Sequence, residues 1–268
     1  MSRIDSTFSR LAGENRAAFV AYLCAGDPTL EATPELVAAL EAAGADIIEL
    51  GLPFSDPLAD GVVNQMAADR ALKAGATTAG VLRMIEAIRR RSEIPLVLFT
   101  YLNPVYTYGF ERFHRDAAAA GADAILALDL PPDEAARNAE LARHEGLQQI
   151  RLVAPTTPQE RLPLVVSGAE GFIYLVSREG VTGVQDALAD NIGDQVALVK
   201  QHTDVPVCVG FGIHKEEQAA AVARAADGVV VGSALVRLVE KHRAEKDMPK
   251  RLHDFAAPLV RAAHEARA

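Results

Sequence analysis

Apolar positions in this chain gather into short runs separated by longer stretches of helical spacing. Ala18-Phe-Val-Ala-Tyr-Leu-Cys24 is apolar throughout, and the run opening at Ile47 is interrupted by one acid, Glu49, before it ends at Gly51. Pro95 to Tyr101, Gln149 to Ala154 and Pro206 to Gly210 have the same character. Runs of this length, rich in Val, Ile and Leu, predict strands covered on both faces, because half-exposed strands alternate. A motif recurs at the start of the Ile47 run and of three further runs: Gly44-Ala-Asp-Ile-Ile, Gly121-Ala-Asp-Ala-Ile, Gly168-Ala-Glu-Gly-Phe-Ile and Ala226-Asp-Gly-Val-Val. Each follows a helical pattern and precedes an apolar run, as expected of a C-cap glycine and a tight turn into a parallel strand. Eight strands result, and each gap is wide enough for a crossover helix. The gap between the second and third holds two helical patterns, about 62–74 and 80–91.

Eight βα units predict an α/β fold, a TIM (β/α)8 barrel with one extra helix after strand two. Residues 4–14 read as an amphipathic helix outside the repeat, placed to plug the barrel floor, and 249–267 as a terminal helix. No linker or low-complexity stretch interrupts the pattern, so a single domain over 1–268 is expected. An open doubly wound sheet would bring a Gly-x-Gly-x-x-Gly turn after an early strand, and the sequence has none.

Charge narrows the functions available. The 27 Lys and Arg against 36 Asp and Glu leave a net charge of −9. With no basic block, nucleic acid and anionic membranes are poor partners, and a phosphate would have to be bound locally by backbone N–H groups. Cys24 and Cys208 lie in apolar runs outside any Cys-x-x-Cys unit, which suits reduced thiols in the cytoplasm better than a disulfide. The seven histidines show no metal-binding spacing. The N-terminus lacks an apolar signal region, and no window approaches a membrane span, so a soluble cytoplasmic protein is expected.

Candidate chemistry centres on Ile47 to Gln65. An ionised carboxylate inside an apolar strand is costly unless paired or shifted in pKa, so Glu49 needs a reason to be there. Two prolines, Pro53 and Pro57, stiffen the loop that delivers a second acid, Asp60, just before a helix. Together they form a candidate acid/base pair, although Asp60 could also be the N-cap of that helix. Asp129, at the end of strand four, could be an anchor or a reactant. Gly183, Gly212 and Gly232-Ser233 follow strands six, seven and eight. Glycine admits close approach of backbone N–H groups, and Ser233 opens a helix, so these ends form a candidate phosphate cradle.

Glu49-Leu-Gly-Leu-Pro-Phe-Ser-Asp-Pro-Leu-Ala-Asp-Gly61 closely resembles the signature of the tryptophan synthase α subunit family. Ser177-Arg-Glu-Gly-Val-Thr-Gly183 is similar to the family's mobile loop six, with Glu179 where a small residue is usual. Gly210-Phe-Gly-Ile213 and Val231-Gly-Ser233 resemble its phosphate-binding segments, and Phe19–Pro28, Pro95–Asn103 and Asp129–Pro131 align with it too. After the signature the chain departs: the family usually has proline and a β-branched residue where this sequence reads Val62-Val63-Asn64-Gln65.

The resemblance implies cofactor-independent cleavage of indole-3-glycerol phosphate to indole and glyceraldehyde 3-phosphate, with Glu49 and Asp60 catalytic. Asp60 would face the indole N1–H, and Glu49 would carry the proton transfers. The resemblance and strand-end positions together give Tyr22, Phe99, Tyr101, Leu126, Leu128, Val153, Tyr174 and Phe211 as indole-pocket walls. Thr182 would position Asp60 on loop closure. The family hands indole to a pyridoxal-phosphate β subunit in an αββα (α2β2) assembly, with Phe54, Ser55, Asp56, Pro57, Asn103 and Pro104 as contact candidates. Pyridoxal phosphate would belong to that partner alone. Other phosphosugar barrels, a standalone indole-releasing lyase and a partner-activating barrel without catalysis remain as alternatives. A Schiff-base aldolase would need a lysine at a strand end, and none of the eight ends carries one.

Overall fold

A computed structural model describes residues 1–177, 185–210 and 212–267 of the 268-residue chain. The strands are β1 (Ala18–Cys24), β2 (Ile47–Gly51), β3 (Leu96–Thr100), β4 (Ala124–Ala127), β5 (Gln148–Gln149), β6 (Arg151–Val153), β7 (Ile173–Val176), β8 (Val207–Gly210) and β9 (Gly228–Val231). All pairings are parallel, in the order β5-β4-β3-β2-β1-β9-β8-β7-β6. β5 and β6 are the two halves of the fifth expected strand, on either side of Ile150, so the ring runs nearly closed through one bent strand. The family of helices comprises α1 (Arg3–Gly13), α2 (Thr33–Ala42), α3 (Val62–Lys73), α4 (Thr78–Arg89), α5 (Leu102–Tyr108), α6 (Phe110–Ala120), α7 (Ala135–His144), α8 (Leu162–Val166), α9 (Gln185–Lys200), α10 (Glu216–Ala225), α11 (Ser233–His242) and α12 (Met248–Glu265). The extra helix after strand two is therefore present, as α3 and α4. No described helix is long and apolar enough to cross a membrane.

Period-two geometry sorts each strand between two cores. Phe19, Ala21, Leu23, Ile48, Leu50, Leu96, Leu98, Ile173 and Val209 face outward into the layer beneath the helices. Ala18, Val20, Ile47, Val97, Ala124, Leu126, Ile150, Cys208 and Val230 fill the interior. Ile4, Phe8 and Leu11 of α1 join that inner cluster and close the floor, with Phe8 meeting Phe172 at 6.1 Å between ring centroids. α1 is held at its start by a reciprocal capping box between Ser2 and Asp5.

The recurring Gly-Ala-Asp motif does more than turn the chain. Asp46, Asp123 and Asp227 each accept, through Oδ2, the backbone N–H of a residue near the start of a neighbouring strand: Phe19 at 2.9 Å, Leu96 at 2.8 Å and Val207 at 2.8 Å. Each then donates its own N–H to the carbonyl of that same residue, at 2.9 Å in all three cases. One aspartate thus clamps both backbone groups of its neighbour and sets the register at the barrel floor. The carboxylates are compensated by cations, with Arg10 on Asp46, Arg3 and Arg89 on Asp123, and Lys200 on Asp227. Removing Asp123 would strand the buried Leu96 N–H and two guanidinium partners. Asp123→Ala is expected to lower the unfolding free energy by about 2–4 kcal/mol, read from urea denaturation monitored by far-UV circular dichroism.

Candidate active site

β2 carries its side chains Ile47 in, Ile48 out, Glu49 in, so the acid points into the barrel near its carboxyl end. Glu49 is 0% exposed, and neither carboxyl oxygen has a hydrogen-bond partner among the described residues. Burial alone pushes its pKa up to about 8. At neutral pH this carboxyl therefore carries its proton.

The loop leaving β2 brings Asp60 back over the strand ends. Its turn is closed by Asp60 N–H donating to the Pro57 carbonyl at 3.0 Å, and by Gln65 Nε2 donating to the Asp60 carbonyl at 2.8 Å. The carboxylate accepts from the Tyr101 hydroxyl at 2.8 Å on Oδ2 and from Asn64 Nδ2 at 3.3 Å on Oδ1. Tyr101 is fixed in turn, because its oxygen accepts the Ala59 N–H at 3.0 Å. Burial raises the Asp60 pKa, and these two hydrogen bonds pull against it. The N-cap of α3 is Gly61, which makes no side-chain capping bond, so Asp60 is spared that structural duty.

Aromatic rings line the space between the acids. Tyr22 stands edge-on to Phe99 at 5.1 Å, and Phe99 meets Tyr174 at 6.5 Å. Both tyrosine hydroxyls are held well above their ordinary pKa, first by burial and further by the nearby carboxylates of Glu49 and Asp60. Both acids therefore border the same pair of rings. Glycines make room for the two hydroxyls. A Cβ on Gly51 would lie 2.2 Å from the Tyr22 oxygen, and one on Gly210 would lie 2.9 Å from that of Tyr174.

Of the expected pocket walls, Tyr22 lies in a small buried cluster with Cys24, against which Phe99 packs, while Leu126, Leu128 and Tyr174 belong to the interior. Tyr101 is one residue beyond β3, at the N-cap of α5, and presents its hydroxyl to Asp60 while its ring meets Phe54 at 5.4 Å. Val153 is a correction. It belongs to the outer core beneath the helices, and Leu152 packs on the interior instead. Alternation runs unbroken through Ile150, with Ile150 and Leu152 inward and Val153 outward. Phe211, Thr182 and Gly183 lie outside the described residues.

Gly212 follows β8 with φ +66°, a conformation that favours glycine, and His214 Nδ1 bonds to its carbonyl oxygen at 2.8 Å. Gly232 is the N-cap of α11 and Ser233 its first residue. The first-turn amides of that helix have no acceptor within it. A Cβ on Gly232 would contact Tyr22 Cβ at 3.4 Å. The start of α11 thus lies against the ring whose hydroxyl rests on Gly51.

Asp129 is exposed and accepts the Leu102 N–H at 2.7 Å, which anchors the start of α5. Phe54, Ser55, Asn103 and Pro104 line one surface groove, with Asn103 in the first turn of α5. Asp56 is exposed and Pro57 half-buried in the adjoining loop. Sequence reasoning passed over Leu58 (90% exposed), Val62 (69%) and Tyr106 (76%), large apolar groups on α5 and the β2–α3 segment. Their signal is apolar residues set among Pro, Ser, Asp and Gly, where a solvated loop would be polar. Asn64 was also missed as a functional residue, and its signal is the four-residue spacing from Asp60. No cluster of three or more His, Cys, Asp or Glu that could hold a metal occurs among the described residues.

Comparison with known proteins gives a consistent match. The family model for the tryptophan synthase alpha chain matches residues 8–264. The alpha chain of Opitutus terrae is 51% identical over 242 residues, covering 90% of this chain and 91% of that one. That of Geotalea uraniireducens is 48% identical over 259 residues, 97% of each. The crystal structure of tryptophan synthase subunit alpha from Legionella pneumophila superposes with a TM-score of 0.90 at 37% identity, covering 98% of both chains. A chain of Mycobacterium tuberculosis tryptophan synthase gives 0.87 at 38% identity, covering 98% of this chain and 99% of that one. With the match running almost end to end in both sequence and fold, the chain belongs to the tryptophan synthase alpha chain family.

Proposed function

We propose that this enzyme subunit is a cofactor-independent carbon–carbon lyase that cleaves indole-3-glycerol phosphate to indole and glyceraldehyde 3-phosphate. The observation that carries the reading is Glu49, a fully buried acid with both oxygens unpartnered and its proton retained up to about pH 8. Such a group can both give and take a proton near neutrality.

An aryl carbanion is too poor a leaving group, so the indole C3 must be protonated before the side chain departs. Glu49 gives its proton to C3, which converts the ring to an indolenine with positive charge on nitrogen. The Asp60 carboxylate, held by Tyr101 and Asn64, faces N1–H and stabilises that charge as it forms. The Glu49 carboxylate then takes the proton from the glycerol hydroxyl on the carbon next to C3. As the O–H electrons form the aldehyde carbonyl, the carbon–carbon bond breaks and its electron pair restores the aromatic indole. One proton enters at C3 and one leaves the hydroxyl, so the balance closes without any other reactant. Tyr22, Phe99, Leu126, Leu128 and Tyr174 wall the ring. The amides of Gly183, Gly212, Gly232 and Ser233 hold the phosphate, and Thr182 steadies Asp60.

Indole is small and apolar, and direct transfer avoids its loss. The reading therefore includes a β subunit that carries pyridoxal phosphate and completes L-tryptophan synthesis, in an α2β2 assembly within the cytoplasm. Phe54, Asp56, Pro57 and Asn103 would meet that subunit, and addition of it should raise a weak basal rate.

The test is indole release from indole-3-glycerol phosphate across pH. Because the first step uses protonated Glu49, kcat/KM is expected to fall about tenfold per pH unit above roughly pH 8, where Glu49 ionises. On the acid side a second limb follows protonation of Asp60, whose pKa burial raises. A rate that stays level to pH 10 would overturn the assignment of Glu49.

A further inference from the structure

α3 opens with Val62-Val63-Asn64-Gln65, directly after the second of the two acids. Asn64 is a poor choice for a helix on its own account. Its Oδ1 is buried without a donor, and a buried unsatisfied acceptor is destabilising. The one hydrogen bond its side chain makes among the described residues, Nδ2 to Asp60 Oδ1 at 3.3 Å, is too long to offset that loss through helix stability. The reverse amide orientation would set the carbonyl oxygen against an anionic carboxylate. The orientation present is therefore dictated by Asp60.

The adjacent amide does not duplicate this work. Gln65 Nε2 donates to the backbone carbonyls of Asp60 and Pro57 and fixes the turn. Asn64 alone of the two reaches the carboxylate. Tyr101 holds the other oxygen, Oδ2, so among the described residues each Asp60 oxygen has one side-chain donor. Among the described residues, the other titratable groups within reach of the Asp60 charge are Tyr22 and Cys24 on β1 and Tyr174 on β7. All three are neutral hydroxyl or thiol groups, and none favours the Asp60 anion by charge.

We propose that Asn64 is a positioning residue for Asp60, holding the carboxylate anionic and aimed at the substrate N–H at the expense of its own unsatisfied carbonyl. The inference rests on the role given to Asp60 above. It extends the substrate-recognition machinery to a residue that never touches the reacting atoms.

The test is Asn64→Leu, which keeps the shape and removes the donor, with Asn64→Ala as a second variant. Each is placed in both the native and the Asp60→Asn backgrounds. In the native background kcat is expected to fall about five- to twentyfold with little change in KM. The acid limb of kcat/KM should move to higher pH, because Asp60 loses a donor that favours its anion. The urea midpoint should stay level or rise. In the Asp60→Asn background neither substitution should lower the residual rate further. Full activity in both variants, an unmoved acid limb, or the same fold-loss in both backgrounds would overturn the inference. If Asp60→Asn itself is fully active, the assignment of Asp60 fails instead, which separates the two.

Discussion

Glu49→Gln is expected to lower indole release by about a thousandfold or more, and at the same time to make the protein more stable at pH 8. The catalytic half follows from chemistry. Gln keeps the volume and polarity but can neither give C3 a proton nor accept one from the hydroxyl, and a positioned proton donor is worth about 10²–10⁴ in rate. Glu49 serves two transfers, so the upper part of that range applies. The stability half follows from linkage. The folded-state pKa of this carboxyl is raised from 4.5 to about 8 by burial. Below about pH 4.5 the group is protonated in both folded and unfolded chains and adds no pH dependence. Between there and pH 8 the unfolded chain ionises and the folded one does not, so stability falls as pH rises. Above pH 8 the full cost is present, on the order of a few kcal/mol. Gln is neutral at every pH and removes this slope. Urea denaturation at pH 6, 7, 8 and 9 should therefore show native and variant curves diverging with pH. Parallel curves would mean that Glu49 is not buried as its surroundings indicate.

Asp60→Asn should cost about 10²–10³ in kcat with a smaller effect on KM. The amide can still accept a hydrogen bond from N1–H, so the ground state is bound nearly as before. What it lacks is the negative charge that meets the developing indolenine cation, and charge in a water-poor site is worth far more than in solution. The local bonds also resist the exchange. Tyr101 and Asn64 both donate to the carboxylate, and an amide offers only one oxygen to those two donors. Steady-state kinetics on indole release separates the cases. A raised KM at unchanged kcat would reassign Asp60 to uniform substrate binding.

Much of the barrel was legible because its signals are local and repeated. The Gly-Ala-Asp turns mark strand starts, and unbroken apolar runs are what a sheet covered on both faces requires. The aspartate clamps behind those turns were not legible, since the N–H that Asp123 accepts belongs to Leu96, on the preceding strand. The division of α5 from α6 at Gly109, with φ +104°, also escaped, because a single glycine does not by itself say that a helical stretch is broken there. At the site, Glu49 announced itself as an acid in an apolar strand, and Asp60 through the spacing of the motif. Val153 was misplaced because a run apolar on both faces carries no parity signal of its own: alternation from inward Ile150 puts Leu152 inside and Val153 outside. The Tyr101 hydroxyl was read as a ring, since nothing in a strand-end tyrosine says that its oxygen will bridge Ala59 and Asp60.

Two carboxyl groups must address opposite ends of one reaction on one ring for any of this to hold. The most direct measurement is a crystal structure of the protein with indole-3-propanol phosphate bound. The indole N1–H should lie within hydrogen-bond distance of the Asp60 carboxylate, Glu49 should approach C3, and the phosphate should rest on the Gly212 and Ser233 amides. An indole nitrogen turned away from Asp60, or a phosphate seated anywhere else on the barrel, would contradict it.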